Sequence, residues 1–211
     1  MQHMPPNIQG SLDAIDKDLK DMQERREKLI KGTRDAVMLC SKSIVAMHHG
    51  RLEEAGRDMA QAREMLAEFR GYAKSDLYKY IAVAEQELVE AYTLRAVMGG
   101  SPLPQMGDLA VSGPSYLTGL LDSVGEIKRL VYDRMRSGRS RDAEALFAMM
   151  EDIYGAVYPF AVYDNIVAGL RKKLDVARML IEDVRATVTE ESRRKALIDA
   201  VDRLEGDLKK K

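Results

Sequence analysis

Two pairs of acidic residues have the types and the spacing that a catalytic or metal site requires. Glu87 and Glu90 lie three residues apart in the largely apolar stretch 80–98, YIAVAEQELVEAYTLRAVM. Residues three or four apart share one face of a helix, and this face would otherwise be apolar. A carboxylate that leaves water needs a cation, a hydrogen-bond donor or a proton. The first question is therefore what these two glutamates bind.

The second pair, Asp122 and Glu126, lies four residues apart on the next long helix that the sequence predicts. Consecutive helices of a bundle usually pack side by side, so we expect the four carboxylates to converge. Oxygen ligands without histidine or cysteine suit Mg²⁺ or Mn²⁺ and not Zn²⁺. Such sites typically serve phosphoryl transfer.

An ordinary structural explanation stands beside the metal site. Acidic pairs at helical spacing are more often solvated surfaces or partners of basic side chains, and Lys128 and Arg129 follow Glu126 closely. Spacing alone leaves both interpretations open.

The basic residues of the first predicted helix are the candidates for binding phosphates. Arg26, Lys28, Lys31 and Arg34 span about two turns, with acidic residues between them that favour a salt-bridged solvent surface. If an oligomer lined a channel with them, they would bind nucleic acid through its phosphates. A second candidate for backbone contact is the cluster Arg136, Arg139 and Arg141, and a third is residues 171–173. Each can equally be a partner of a helix dipole or a solvated surface cluster.

Composition narrows the class of protein. The chain has 211 residues, of which 45% are hydrophobic and 32% charged, so it can bury a core and is not disordered. The 33 lysines and arginines nearly balance the 34 aspartates and glutamates, so nucleic-acid binding requires local basic patches. With one cysteine, no disulfide forms within the chain. No signal peptide or membrane-spanning run is evident, so we expect a cytoplasmic protein without a membrane partner.

The hydrophobic pattern predicts an all-α protein. No alternating strand pattern and no fixed-period repeat is present. We predict a flexible leader over 1–10 and a single domain over 11–211. A first helix of nearly forty residues implies a bundle or an oligomer. The predicted helices cover roughly 11–49, 52–70, 76–98, 115–136, 141–157, 160–186 and 190–208, with a long irregular segment over 99–114.

Several motifs resemble those of the translin family, and most closely its branch of translin-associated factor X, called Trax. QELVEA at 86–91 resembles the Trax motif Q-E-F-V-E-A, and DSVGEI at 122–127 resembles D-L-T-G-E-L. The opening helix at 24–49 and the segment LRKKLDVARMLIEDV at 170–184 are also similar to family helices. The resemblance extends, with gaps, over 24–188.

This resemblance implies a fold and an activity. Translin-family proteins are seven-helix, all-α proteins that assemble into hollow octamers and bind RNA and single-stranded DNA. Trax also cleaves RNA with a divalent metal, and its catalytic acids match Glu87, Glu90 and Asp122, with Glu126 close by. The resemblance therefore implies an endoribonuclease that uses Mg²⁺ or Mn²⁺.

Two alternatives remain. Translin itself binds nucleic acid without cleaving it, so the acids here can instead be structural remnants in a binding shell. The chain can also be a helical scaffold whose long first helix only mediates oligomerisation. Because the long basic N-terminal extension of animal Trax is missing and nothing indicates a second subunit type, we expect a homo-oligomer, an octamer by resemblance.

Overall fold

In the computed structural model of the chain, residues 8–209 are described, and their regular structure is entirely helical. This confirms the predicted all-α class and the very long first helix. Two short 3₁₀ segments, Tyr78–Tyr80 and Tyr158–Tyr163, lie between α-helices. The α-helices are α1 (Gln9–His48), α2 (Leu52–Ala73), α3 (Ala82–Gly99), α4 (Met106–Leu109), α5 (Gly113–Arg136), α6 (Ser140–Val157) and α7 (Leu170–Leu208).

Backbone contacts divide the chain into two compact units, and the boundary falls within α3, between Leu88 and Val89. The predicted single domain over 11–211 remains a prediction, because clusters of contacts do not decide whether two units fold together. Of the predicted leader, residues 1–7 lie outside the described part of the chain, and α1 already begins at Gln9.

The core of the first unit lies between α1 and α2, which pack along each other. Gly32 of α1 lies against the ring of Phe69 of α2. A Cβ added there would lie 2.1 Å from the ring atom Cζ of Phe69, so only glycine leaves room for that ring. Helix α1 continues past this glycine without interruption. The buried apolar side chains of this core are Leu29, Ala36, Cys40, Ile44, Met47, Ala55, Met59, Ala62, Leu66 and Phe69.

The second unit is built on α5, α6 and α7, each of which packs against the other two. Helix α5 begins where Ser112 accepts a hydrogen bond from the backbone N–H of Ser115, with Pro114 in the first turn. The buried side chains recur at helical spacing along the three helices, so a three-sided core forms. They include Val124, Ile127, Leu130, Val131, Met150, Ile153, Leu174, Ala177, Ile181 and Val184.

The predicted boundaries were wrong in three places. The two helices predicted over 160–186 and 190–208 are one helix, α7, which begins after Gly169. Thr189, at the boundary between these two predicted helices, lies inside the continuing helix and donates a hydrogen bond to the carbonyl of Arg185 at 2.8 Å. The third helix begins at Ala82 because the 3₁₀ segment Tyr78–Tyr80 precedes it, and the irregular segment contains α4.

One segment, Ser140–Tyr163, has the length and composition of a membrane-crossing helix. A single segment of this kind is weak evidence for a membrane protein. Glu151 lies midway along it and pairs with Arg185 at 2.7 Å. Only 17% of its most apolar window is buried, so its apolar surface is largely exposed.

Candidate functional site

Asp122 binds the ammonium group of Lys173 through both of its carboxylate oxygens. Lys173 Nζ lies 2.5 Å from Oδ1 and 2.8 Å from Oδ2, so the contact is a chelate and not a single hydrogen bond. The two side chains are 24% and 29% exposed, respectively, which shields the pair from most of the solvent. Asp122 is thus a carboxylate that holds a cation at the edge of the core.

Local packing explains why the two residues meet. Asp122 follows Leu121 and precedes Ser123 and Val124, all three of them buried, so it lies at the margin of the inward face of α5. Lys173 stands in the first turn of α7, directly before the buried Leu174. A cation is unfavourable in the first turn of a helix because the helix dipole is positive there. The bond to Asp122 offsets that cost.

Glu126 lies one turn beyond Asp122 on α5 and is partly buried. Lys128, which we considered as a partner for this acidic pair, binds Asp183 of α7 instead, with Nζ 2.6 Å from Oδ2. The hydroxyl of Tyr132 also donates to Asp183, at 2.8 Å. Both bonds lower the pKa of Asp183, and the bond from Lys128 has the larger effect. The Lys128–Asp183 and Lys173–Asp122 pairs both join α5 to α7, and the second includes a predicted site residue.

Glu87 and Glu90 lie on α3, three residues apart, and both are partly buried. Glu87 belongs to the first unit and Glu90 to the second. Each has an interaction partner, so neither is a freely solvated carboxylate. The helix face that carries these two glutamates is only partly apolar and buried, because Leu94 is buried but Val83 is 59% exposed. The predicted convergence of all four carboxylates remains a prediction.

The acids fit a hard metal ion by their chemistry but do not form a ready-made metal site. Within residues 8–209, no group of three or more His, Cys, Asp or Glu side chains is arranged to hold a metal ion. The donors at Glu90, Asp122 and Glu126 are all carboxylate oxygens, which Mg²⁺ and Mn²⁺ prefer. By donor chemistry these carboxylates suit a divalent ion, while in the structure Asp122 is bound by the ammonium group of Lys173.

Glu85 is a buried acid that we did not predict. It is 0% exposed and accepts hydrogen bonds from the hydroxyl of Tyr78 at 2.7 Å and from Nε of Arg70 at 3.1 Å. The signal was present in the sequence, since Ile81 and Leu88 stand four residues before and three after it, on the same helical face. Its bonds join the end of α2 to the 3₁₀ segment Tyr78–Tyr80, which indicates a structural role.

The predicted nucleic-acid contacts differ in their surroundings. Arg26 donates from Nε to the hydroxyl of Tyr80 at 2.8 Å and lies over that ring, and this bond lowers the pKa of Tyr80. Lys28 lies over the ring of Tyr72, with Nζ 5.0 Å from the centroid. Cation–π contacts of this kind fix the direction of the side chain. Lys31 and Arg34, in contrast, are exposed on α1.

Comparison with known proteins gives one curated relative. No protein-family model matches the chain. The uncharacterized protein MJ0175 of Methanocaldococcus jannaschii is 27% identical over 160 residues, which cover 74% of this chain and 72% of that protein.

Solved structures resemble the chain over most of its length. AfC3PO in complex with duplex RNA is 31% identical, with a TM-score of 0.82, over 88% of this chain and 98% of that one. AfC3PO in its crystal structure is 32% identical, with a TM-score of 0.81, over 88% and 99% of the two chains. Apo-NeC3PO, at 20% identity and a TM-score of 0.78 over 90% and 100%, shares the fold.

Proposed function

Because the chain belongs to the translin family of C3PO-like proteins, we propose that it is a Trax-like endoribonuclease that requires Mg²⁺ or Mn²⁺. RNA as the ligand is supported by AfC3PO, which has been solved with duplex RNA. Cleavage is supported by one observation: the four acids of the two motifs that resemble those of Trax, Glu87, Glu90, Asp122 and Glu126, are all partly buried.

In this proposal Glu87, Glu90 and Asp122 bind the metal, and Glu126 completes the site or orients the other acids. The bound ion would supply an activated water and neutralise charge that develops on the phosphate. The protein's own part is to hold the carboxylates at the edge of a dry core, where charge interactions are stronger than in water. Asp122 is already positioned there by α5.

The strand is held by its phosphates in this proposal. Lys31 and Arg34 are exposed and free to contact a backbone, whereas Arg26 and Lys28 are oriented by tyrosine rings. Phosphate contacts carry no sequence information, so we expect little sequence preference and some binding of single-stranded DNA. These basic residues would bind RNA within a cytoplasmic homo-oligomer, for which the family resemblance implies an octamer.

A specific observation favours the second candidate, a binding shell without cleavage. The Lys173–Asp122 pair neutralises one of the three proposed catalytic acids. A half-buried ion pair can be purely structural, and then the acids would have no role in chemistry. The two candidates therefore differ in whether Asp122 can exchange its lysine for a metal.

The decisive assay measures binding and cleavage in the same samples. Labelled duplex and single-stranded RNA are incubated with the protein in Mg²⁺, in Mn²⁺ and in EDTA, and retention and products are quantified. Asp122→Asn and Glu90→Gln should retain RNA but yield no products. Asp183→Asn is the matched control, since it removes the other charged contact between α5 and α7.

Each outcome separates the candidates. Metal-dependent products that disappear in both acidic variants but persist in Asp183→Asn support the nuclease. RNA retention without products in any metal supports the binding shell. Products that persist in Asp122→Asn and Glu90→Gln would exclude these acids from the reaction. If the protein does not retain RNA even at low salt, the remaining alternative is a helical scaffold that does not bind nucleic acid.

A further inference from the structure

Lys173 holds the atoms that a metal would need. Its ammonium contacts both Oδ1 and Oδ2 of Asp122, at 2.5 and 2.8 Å, so both oxygens point at one cation. Mg²⁺ and Mn²⁺ bind carboxylate oxygens at about 2.0–2.2 Å. An ammonium and a divalent ion on the same two oxygens would repel each other strongly in this half-buried position. The two cations therefore exclude each other at Asp122.

We propose that Lys173 is a positioning residue that holds Asp122 while no metal is bound and releases it when a divalent ion binds. This inference rests on the proposed function, because it takes Asp122 as a metal ligand. Lys173 thereby keeps the carboxylate ordered and neutralised in the metal-free protein, at the expense of metal affinity. An unpaired carboxylate at the edge of the core would otherwise be costly.

The neighbouring ion pair shows what is particular to Lys173. Lys128 and Asp183 also join α5 to α7, at 2.6 Å, but Asp183 is 56% exposed and also accepts a bond from Tyr132. Asp183 therefore keeps a donor and a solvent shell if Lys128 leaves. This pair connects the same two helices without a proposed metal ligand, so Lys128 is the internal reference for Lys173.

The first measurement is competitive acetylation of the full-length protein, read by mass spectrometry. We expect the reactivity of Lys173 to rise several-fold when Mn²⁺ or Mg²⁺ replaces EDTA, while that of Lys128 stays constant. In Asp122→Asn, Lys173 should already be reactive in EDTA, because its partner no longer carries a charge. These readouts need neither RNA nor catalysis.

The second measurement is Mn²⁺ affinity from electron paramagnetic resonance, without RNA. Lys173→Met should bind Mn²⁺ about tenfold more tightly than the wild type, since it removes both the competing cation and its repulsion. Lys173→Arg keeps a cation that chelates a carboxylate, so its affinity should stay near or below that of the wild type. Lys128→Met should leave the affinity unchanged.

The outcomes separate this inference from the function beneath it. If Mn²⁺ binds in an Asp122-dependent manner but the reactivity of Lys173 does not change, or if Lys173→Met binds more weakly, then the inference is overturned and the metal site stands. If neither the wild type nor Lys173→Met binds Mn²⁺ at Asp122, the metal-dependent function fails and the inference fails with it.

Discussion

Lys173 and Asp122 form a two-oxygen ion pair, at 2.5 and 2.8 Å, between the first turn of α7 and the middle of α5. The pair joins two elements of the second unit and occupies one of the acids that the family resemblance marks as catalytic. A structural contact and a proposed site thus share one carboxylate. The effect of an Asp122 variant therefore has to be compared with that of a variant in another contact between the same two helices.

The buried carboxylate of Glu85 should matter for stability and not for chemistry. Glu85→Ala removes the buried carboxylate that Arg70 binds, and breaking a buried ion pair of this kind costs about 3–5 kcal/mol of unfolding free energy. Urea denaturation followed by circular dichroism measures the change. Glu68→Ala, an exposed acid on α2, is the control and should stay within about 0.5 kcal/mol. An unchanged free energy of unfolding in Glu85→Ala would mean that the bonds of Glu85 to Arg70 and Tyr78 do not stabilise the fold.

Gly32 should resist substitution because of Phe69. Overpacking costs about 1–3 kcal/mol, and alanine gains about 1 kcal/mol in helix propensity, so Gly32→Ala should destabilise the protein modestly. In a Phe69→Leu background the same change should be neutral or stabilising, since the clashing ring is gone. Gly71→Ala in α2 is the control, because a Cβ there meets nothing within 4 Å. Thermal unfolding of the four variants tests this, and equal effects of Gly32→Ala in both backgrounds would contradict it.

Arg26 should hold the pKa of Tyr80 below its usual value of 10.0. The lowered pKa means that tyrosinate is favoured in the folded protein. The pH-dependent part of the stabilisation by Tyr80 is thus absent below the folded pKa, grows as the pH rises through it, and is complete above about pH 10. Absorbance titration of tyrosinate should show the Tyr80 pKa rise in Arg26→Met. An unchanged titration in that variant would show that Arg26 does not act on Tyr80.

Lys31 and Arg34 should contribute to RNA affinity through charge alone. Replacing both with glutamine should weaken binding to all sequences equally and reduce the slope of log affinity against log salt by about 0.7–0.9 per lost phosphate contact. Fluorescence anisotropy at several salt concentrations measures this slope. Lys42→Gln, at another exposed position of α1, should leave it unchanged. An equal slope in the double variant and the wild type would show that Lys31 and Arg34 do not contact the RNA phosphates.

Much of the architecture can be predicted from local pattern, while the partners of charged residues cannot. The 3.6-residue periodicity sets the helices, and the acidic motifs at 86–91 and 122–127 are visible in the sequence alone. Asp122 and Lys173 are fifty-one residues apart in the chain, so their pairing depends on how α5 packs against α7. The last two predicted helices are one helix, inside which the Thr189 hydroxyl bonds the carbonyl of Arg185. Glu85 could have been found, because its apolar neighbours share its helical face.

The most direct test of the central claim is single-turnover cleavage of protein-bound RNA in Mn²⁺ by Asp122→Asn, beside the wild type and Asp183→Asn. We expect the wild type and Asp183→Asn to cleave at similar rates, and Asp122→Asn to be slower by at least about 100-fold, with RNA affinity retained, because a metal-site carboxylate is lost. Cleavage by Asp122→Asn at the wild-type rate would contradict the account.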